Sequence, residues 1–165
     1  MEPPEEVWRE PPRAPLVLPE GIEAGVIGGL AVAAVFFVRD AWIGDPMQTP
    51  SMLGALLVAG SQAARAAAPA AGSAALYHAV HFFAWIAFGF AASGVMRRAE
   101  RTGARWIALL AAVVALLPLV ALDFWVQRAG WGRLHLWMGG LAGIAAMGAF
   151  LAWRHPGALR RSSAG

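Results

Sequence analysis

The sequence predicts an all-α integral membrane protein: a four-helix bundle with a short interfacial or re-entrant helix after the first span. Three observations predict it. Hydrophobic residues make up 59% of the 165 residues and charged residues only 14%, against roughly a quarter charged in a soluble domain. The apolar residues gather in four runs, each long enough to cross a bilayer. The 13 basic residues, all Arg, stand at the ends of those runs rather than along one stripe. A pI near 11.0 therefore reflects orientation in a membrane, and no nucleic-acid partner is expected.

The elements follow in order. Residues 1–20, MEPPEEVWREPPRAPLVLPE, are rich in Pro and Glu without helical period and read as a disordered tail. They lack the basic and then apolar order of a signal peptide, so the first apolar run is expected to stay as an anchor. A helix rises about 1.5 Å per residue, and roughly 20 residues cross the hydrocarbon core. Spans are expected at about 22–43, 73–96, 106–126 and 134–153, within a membrane domain of 21–155, with 156–165 as a second tail. The short links at 97–105 and 127–133 make the last three spans antiparallel neighbours. In GDPMQTPSMLGALLVAG, Thr49 suits an N-cap and Pro50 the first helical position, predicting a helix over about 50–61. That length is too short to span.

Orientation comes from counting Arg. Four spans place both tails and the 97–105 loop on one side, with Arg9, Arg13, Arg97, Arg98, Arg101, Arg105, Arg154, Arg160 and Arg161. The other side holds Arg39, Arg65, Arg128 and Arg133. The positive-inside rule then predicts cytoplasmic termini. An Arg-only basic set with abundant Ala, Gly, Pro and Trp reads as a GC-rich bacterial genome, so the expected location is a bacterial inner membrane.

Lipid is as apolar as Leu, so close packing must join the helices. Gly25 and Gly29 in the first span and Gly139 and Gly143 in the fourth form small faces. They make these two spans candidates to touch, or mark a homo-oligomer surface. Pro118 removes a backbone hydrogen bond inside the third span and predicts a kink. Trp42, Trp106, Trp125, Trp131, Trp137 and Trp153 fall at span ends, as an interfacial belt does.

Cysteine is absent, which excludes disulfides, thiolate metal sites and iron–sulfur clusters. Ionisable groups in spans are costly and mark candidate sites. By depth, His78, His81, Asp123, His135 and Asp40 share one leaflet although they come from different helices. Tyr77, His78, His81, Trp85 and Phe88 form a stripe at helical spacing. Three uses stand open: structural polar contacts, proton or small-ligand work, and haem or transition-metal binding through His81 and His135. His155, in the C-terminal tail, is placed outside any site, and Asp123 has Arg128 and Arg133 as alternative partners.

The segments GDPMQTPSMLG, YHAVHFFAWIAFG and WRHPGALR, following a GxxxG-like span, resemble small four-span bacterial membrane proteins of uncharacterised function. The resemblance covers most of residues 21–160. In that family a TP..LG segment and a Tyr-x-x-x-His-Phe segment recur, matching Thr49, Pro50, Leu53, Gly54, Tyr77, His81 and Phe82; His78 is not part of the pattern. The resemblance implies the architecture and no activity. The expected function is a non-enzymatic accessory or assembly subunit of a larger membrane complex, with the lipid bilayer as its first partner and no cofactor. A haem- or metal-binding redox module and a small transporter or proton-linked carrier are the alternatives.

Overall fold

The computed structural model describes residues 17–66, 70–128 and 134–159, with backbone only at 17, 61–66, 125–128 and 134–135. Its elements are α1 (Val17–Trp42), α2 (Gln48–Ala66), α3 (Ala71–Thr102), α4 (Arg105–Val114), α5 (Leu117–Arg128) and α6 (Leu134–Arg154), closed by a 3₁₀ turn at Pro156–Ala158. There is no strand among the described residues. Four stretches are long and apolar enough to cross a membrane: Leu18–Trp42, Ala71–Thr102, Arg105–Phe124 and Leu136–Arg154. Phe37, Phe83, Leu109, Val113 and Phe124 point outward along them, an arrangement that suits acyl chains and not water. The chain is a multi-pass, all-α membrane bundle.

Helix α1 is the centre of the bundle. It runs antiparallel to α3 on one side and to α6 on the other. Glycine permits the first contact: a Cβ on Gly25 would stand 2.5 Å from the Cα of Ile86, and one on Gly89 would overlap the Gly21 carbonyl. Backbones so close gain dispersion contact along their length, which is how helices associate in lipid. The second contact is built around Trp85. Its ring enters a notch between Gly28 of α1 and Gly143 of α6, where a Cβ on either glycine would lie 2.5 Å from ring carbons. Gly139 meets Phe36 and Val32. The first and fourth spans thus touch as expected, through Gly139 and Gly143. Gly25 and Gly29, however, face α3, against Ile86, Trp85 and Phe82.

Helix α2 packs over the end of the bundle remote from the chain termini. Leu53, Ala55 and Leu56 join Val32, Phe36 and Leu136 in one buried cluster. A Cβ on Gly54 would overlap the Ser73 carbonyl, so α2 crosses the start of α3 at backbone contact. The regular helix breaks at Gly60, which has φ 77°, close to the end predicted from the sequence. Its start differs: the helix opens at Gln48, and the capping group is the carboxylate of Asp40 rather than Thr49.

Three boundaries depart from the sequence expectation. Helix α1 begins at Val17, inside the predicted tail. Helix α3 runs to Thr102 and stops at Gly103, with φ 64°, so Arg97 and Arg98 are helical and not in a loop. The predicted second tail, 156–165, begins with an ordered turn whose Ala158 is buried against Ala99 and Ala108. A polar cluster at this end joins α1, α3 and the chain after α6.

The expected kink falls at Ala115–Leu116, where the helical hydrogen bonding is interrupted while Ala115 keeps helical dihedrals. Pro118 has no N–H for the Val114 carbonyl, and the Leu116 N–H bonds back to Val113 instead, at 3.0 Å. The third span is therefore two helices meeting at Ala115–Leu116. Trp42, Trp106 and Trp153 are exposed at helix ends, consistent with an aromatic belt; Trp125 and Trp131 lie outside the described side chains.

Candidate functional site

His81 lies on α3 opposite Gly29 of α1. Its Nε2 lies 3.1 Å from the Gly29 carbonyl oxygen, and its Nδ1 lies 3.1 Å from the Tyr77 hydroxyl. Tyr77 and His81 stack with ring centroids 5.1 Å apart, four residues apart on one helical face. Both ring nitrogens are committed, so ligating a metal or haem iron through His81 would first break one of these bonds. His78 turns a different way: its Nδ1 is buried without a hydrogen-bond partner, and its ring lies 5.5 Å from that of Tyr77.

Asp40 and Asp123 do not join His81. Asp40 is fully buried, and it accepts the Thr49 N–H at 2.6 Å, the Thr49 hydroxyl at 2.7 Å and the Arg39 guanidinium at 2.8 Å. It caps α2 across the turn that ends α1, a role set by helix chemistry. Asp123 faces the junction of α5 and α6, beside Leu136 and Trp137. The side chains of His135, Arg128 and Arg133 lie outside the described residues, so the pairing of His81 with His135 and that of Asp123 with Arg128 or Arg133 lie there too. Among the described residues no group of three or more His, Asp or Glu is arranged to hold a metal ion.

The bundle contains a cavity of about 400 Å³ beside the Tyr77–His81 pair. Its wall comes from α2 (Leu53, Leu57), from the Tyr77 to Phe88 face of α3, from Ala115, Pro118, Leu119 and Leu122, and from Ile144 of α6. Tyr77, His81 and Trp85 are the wall residues with polar side-chain groups. The cavity lies beside the kink of the third span, with Ala115 and Pro118 in its wall. Its volume is within the range of small-molecule sites, about 300–1,000 Å³.

A second polar centre lies at the opposite end, and sequence reasoning missed it. Glu20, Arg97 and His155 are 3%, 8% and 6% exposed. Glu20 accepts from the Ser93 hydroxyl and from His155 Nε2 at 2.7 Å through one oxygen, and from Arg97 at 2.6 Å through the other. His155 Nδ1 lies 2.7 Å from Glu100, whose second oxygen accepts the Gly157 N–H at 3.3 Å. An imidazole with both nitrogens against carboxylates satisfies both only as imidazolium. Two carboxylates are then balanced by Arg97 and His155. Far from lying outside any site, His155 ties the chain's described ends together. One signal was available: Ser93, Arg97 and Glu100 stand at i, i+4 and i+7, a polar face continuing an apolar span.

Comparison with family models, with curated proteins and with solved structures finds no match to this chain.

Proposed function

We propose that this chain is a non-enzymatic protein of a bacterial inner membrane, an accessory component that holds an apolar small molecule inside the bilayer. The observation that carries the reading is the cavity between α2, α3 and the kinked third span. It is of small-molecule size, lined by apolar and aromatic side chains, with a few polar atoms held in place. A non-catalytic role is supported by the commitment of His81: with one nitrogen on Gly29 and the other on Tyr77, the ring has no free lone pair for proton transfer. Cytoplasmic termini are supported by Arg placement. Setting aside Arg97, which pairs with Glu20, leaves eight Arg on the side of the termini against four on the other.

The test is photolabelling in nanodiscs with an apolar diazirine. Saturable labelling is expected at the wall residues Val80, Phe88, Leu119 and Leu122, and it should fall severalfold in Ala84→Phe, which fills the cavity from an accessible wall position. Labelling at outward Phe83 and Phe124 should rise linearly and ignore the substitution. Cavity labelling that is linear and indifferent to Ala84→Phe would refute the reading.

A further inference from the structure

The hydrogen-bond chain beside the cavity has a fixed direction. A backbone carbonyl only accepts, so the proton between His81 and Gly29 must sit on Nε2. No carboxylate bonds to either nitrogen of His81, and an imidazolium would place an uncompensated charge in an apolar wall. The ring is therefore neutral with a bare Nδ1, and the Tyr77 hydroxyl spends its proton on that nitrogen. What remains on the Tyr77 oxygen is acceptor capacity alone. The pair thus offers a ligand a place to donate and no proton to accept. Trp85 carries an N–H donor, but its indole is seated between Gly28 and Gly143, two helical turns from Tyr77 along α3.

We infer that the cavity selects apolar molecules bearing a hydroxyl donor, of the alkylphenol type, over matched molecules that can only accept. The inference rests on the cavity being a ligand site and adds the polarity of its recognition. The aromatic faces of Tyr77, Trp85 and Phe88 in the wall suit a phenol ring, and the alkyl chain suits Leu57, Val80, Leu119 and Leu122. An acceptor-only ligand would leave the Tyr77 oxygen dry and place its own oxygen against another lone pair.

The experiment is competition against the photolabel by 4-octylphenol and by its methyl ether, 4-octylanisole. Ala84→Phe serves as the reference for partition into lipid. The phenol should compete about 10-fold more strongly than the ether, which corresponds to about 1.4 kcal/mol. His81→Gln supplies an amide N–H for Gly29 and an oxygen for the Tyr77 proton, so it should keep the preference. His81→Leu frees the Tyr77 proton to meet an ether oxygen, so the ratio should drop to twofold or less; a role for His81 in packing alone would not shift it. Equal competition in the wild type, or loss of the preference in a folded His81→Gln, overturns the inferred polarity while the site stands. If neither molecule competes although the photolabel saturates, the phenol class is wrong. If the photolabel does not saturate, the ligand site itself falls.

Discussion

Removal of Arg97 should be the most damaging single change at the end of the bundle that carries the termini. In Arg97→Met the volume and helical propensity are nearly kept, so the effect isolates charge. Glu20 would lose its 2.6 Å partner while remaining 3% exposed, and Glu20 and Glu100 would face His155 alone, leaving one negative charge in excess. Breaking a buried pair from one side costs about 3–5 kcal/mol. Glu20→Gln should cost a similar amount, because it strands Arg97. The double variant removes both charges, and its amide still accepts from Ser93 and His155, so its cost should be about 1–3 kcal/mol rather than the sum. A coupling of at least about 2 kcal/mol is therefore expected from the double-mutant cycle. Reversible unfolding of the four proteins in mixed micelles, followed by circular dichroism, measures it. Additive costs, or a loss under about 1 kcal/mol for Arg97→Met, would show that Glu20 is served by water and that the network is not closed.

The remaining predictions concern packing and capping. Asp40→Ala should destabilise the start of α2 by about 2 kcal/mol, the upper end for a lost N-cap, and Asp40→Asn should recover part of it; protease cleavage within 48–60 reports both. Gly143→Ala puts a methyl 2.5 Å from the Trp85 ring and should cost about 1–3 kcal/mol, whereas Gly148→Ala meets nothing within 4 Å and should be neutral or gain about 0.5 kcal/mol. Pro118→Ala returns an N–H to the Val114 carbonyl and should straighten the third span. The expected outcome is retained stability with severalfold weaker saturable labelling of the cavity.

What the sequence made legible was whatever depends on local chemistry. The four spans follow from length and hydropathy, the kink from Pro118, and the existence of the short helix from its apolar run, although its cap did not. The shared surface of the first and fourth spans was readable from Gly139 and Gly143. Which helix Gly25 and Gly29 would face was not, because a small face states that something comes close without naming it. The polar sites failed for a related reason. Depth put His81 and Asp123 in one leaflet, but rotation about each helix sends His81 toward Gly29 and Asp123 toward α6. The Glu20–His155 contact joins residues 135 positions apart, and no spacing rule reaches across that separation. Composition also misled there: a Pro- and Glu-rich segment and an Arg-rich one each read as solvated tails, although together they supply opposite charges to one buried cluster.

The two polar centres divide the bundle into an end that is fastened and an end that is open. Around Glu20, three elements meet through ion pairs and hydrogen bonds that leave each carboxylate oxygen a partner, and α1 is held against α3 and α6 by glycine contacts for most of its length. The third span shares little of this. Its described buried residues are Ala108 and Ala115, and of these Ala108 lies near the fastened end, packed with Ala99 and Ala158. Segments with few buried contacts are those that open at least cost. α4 is anchored beside the cluster, while α5 meets α6 through Leu119 against Gly140 and supplies one side of the cavity. If the cavity holds a ligand as proposed, the kink set by Pro118 lies on the side where a molecule dissolved in the bilayer would reach it without disturbing the α1–α3–α6 core.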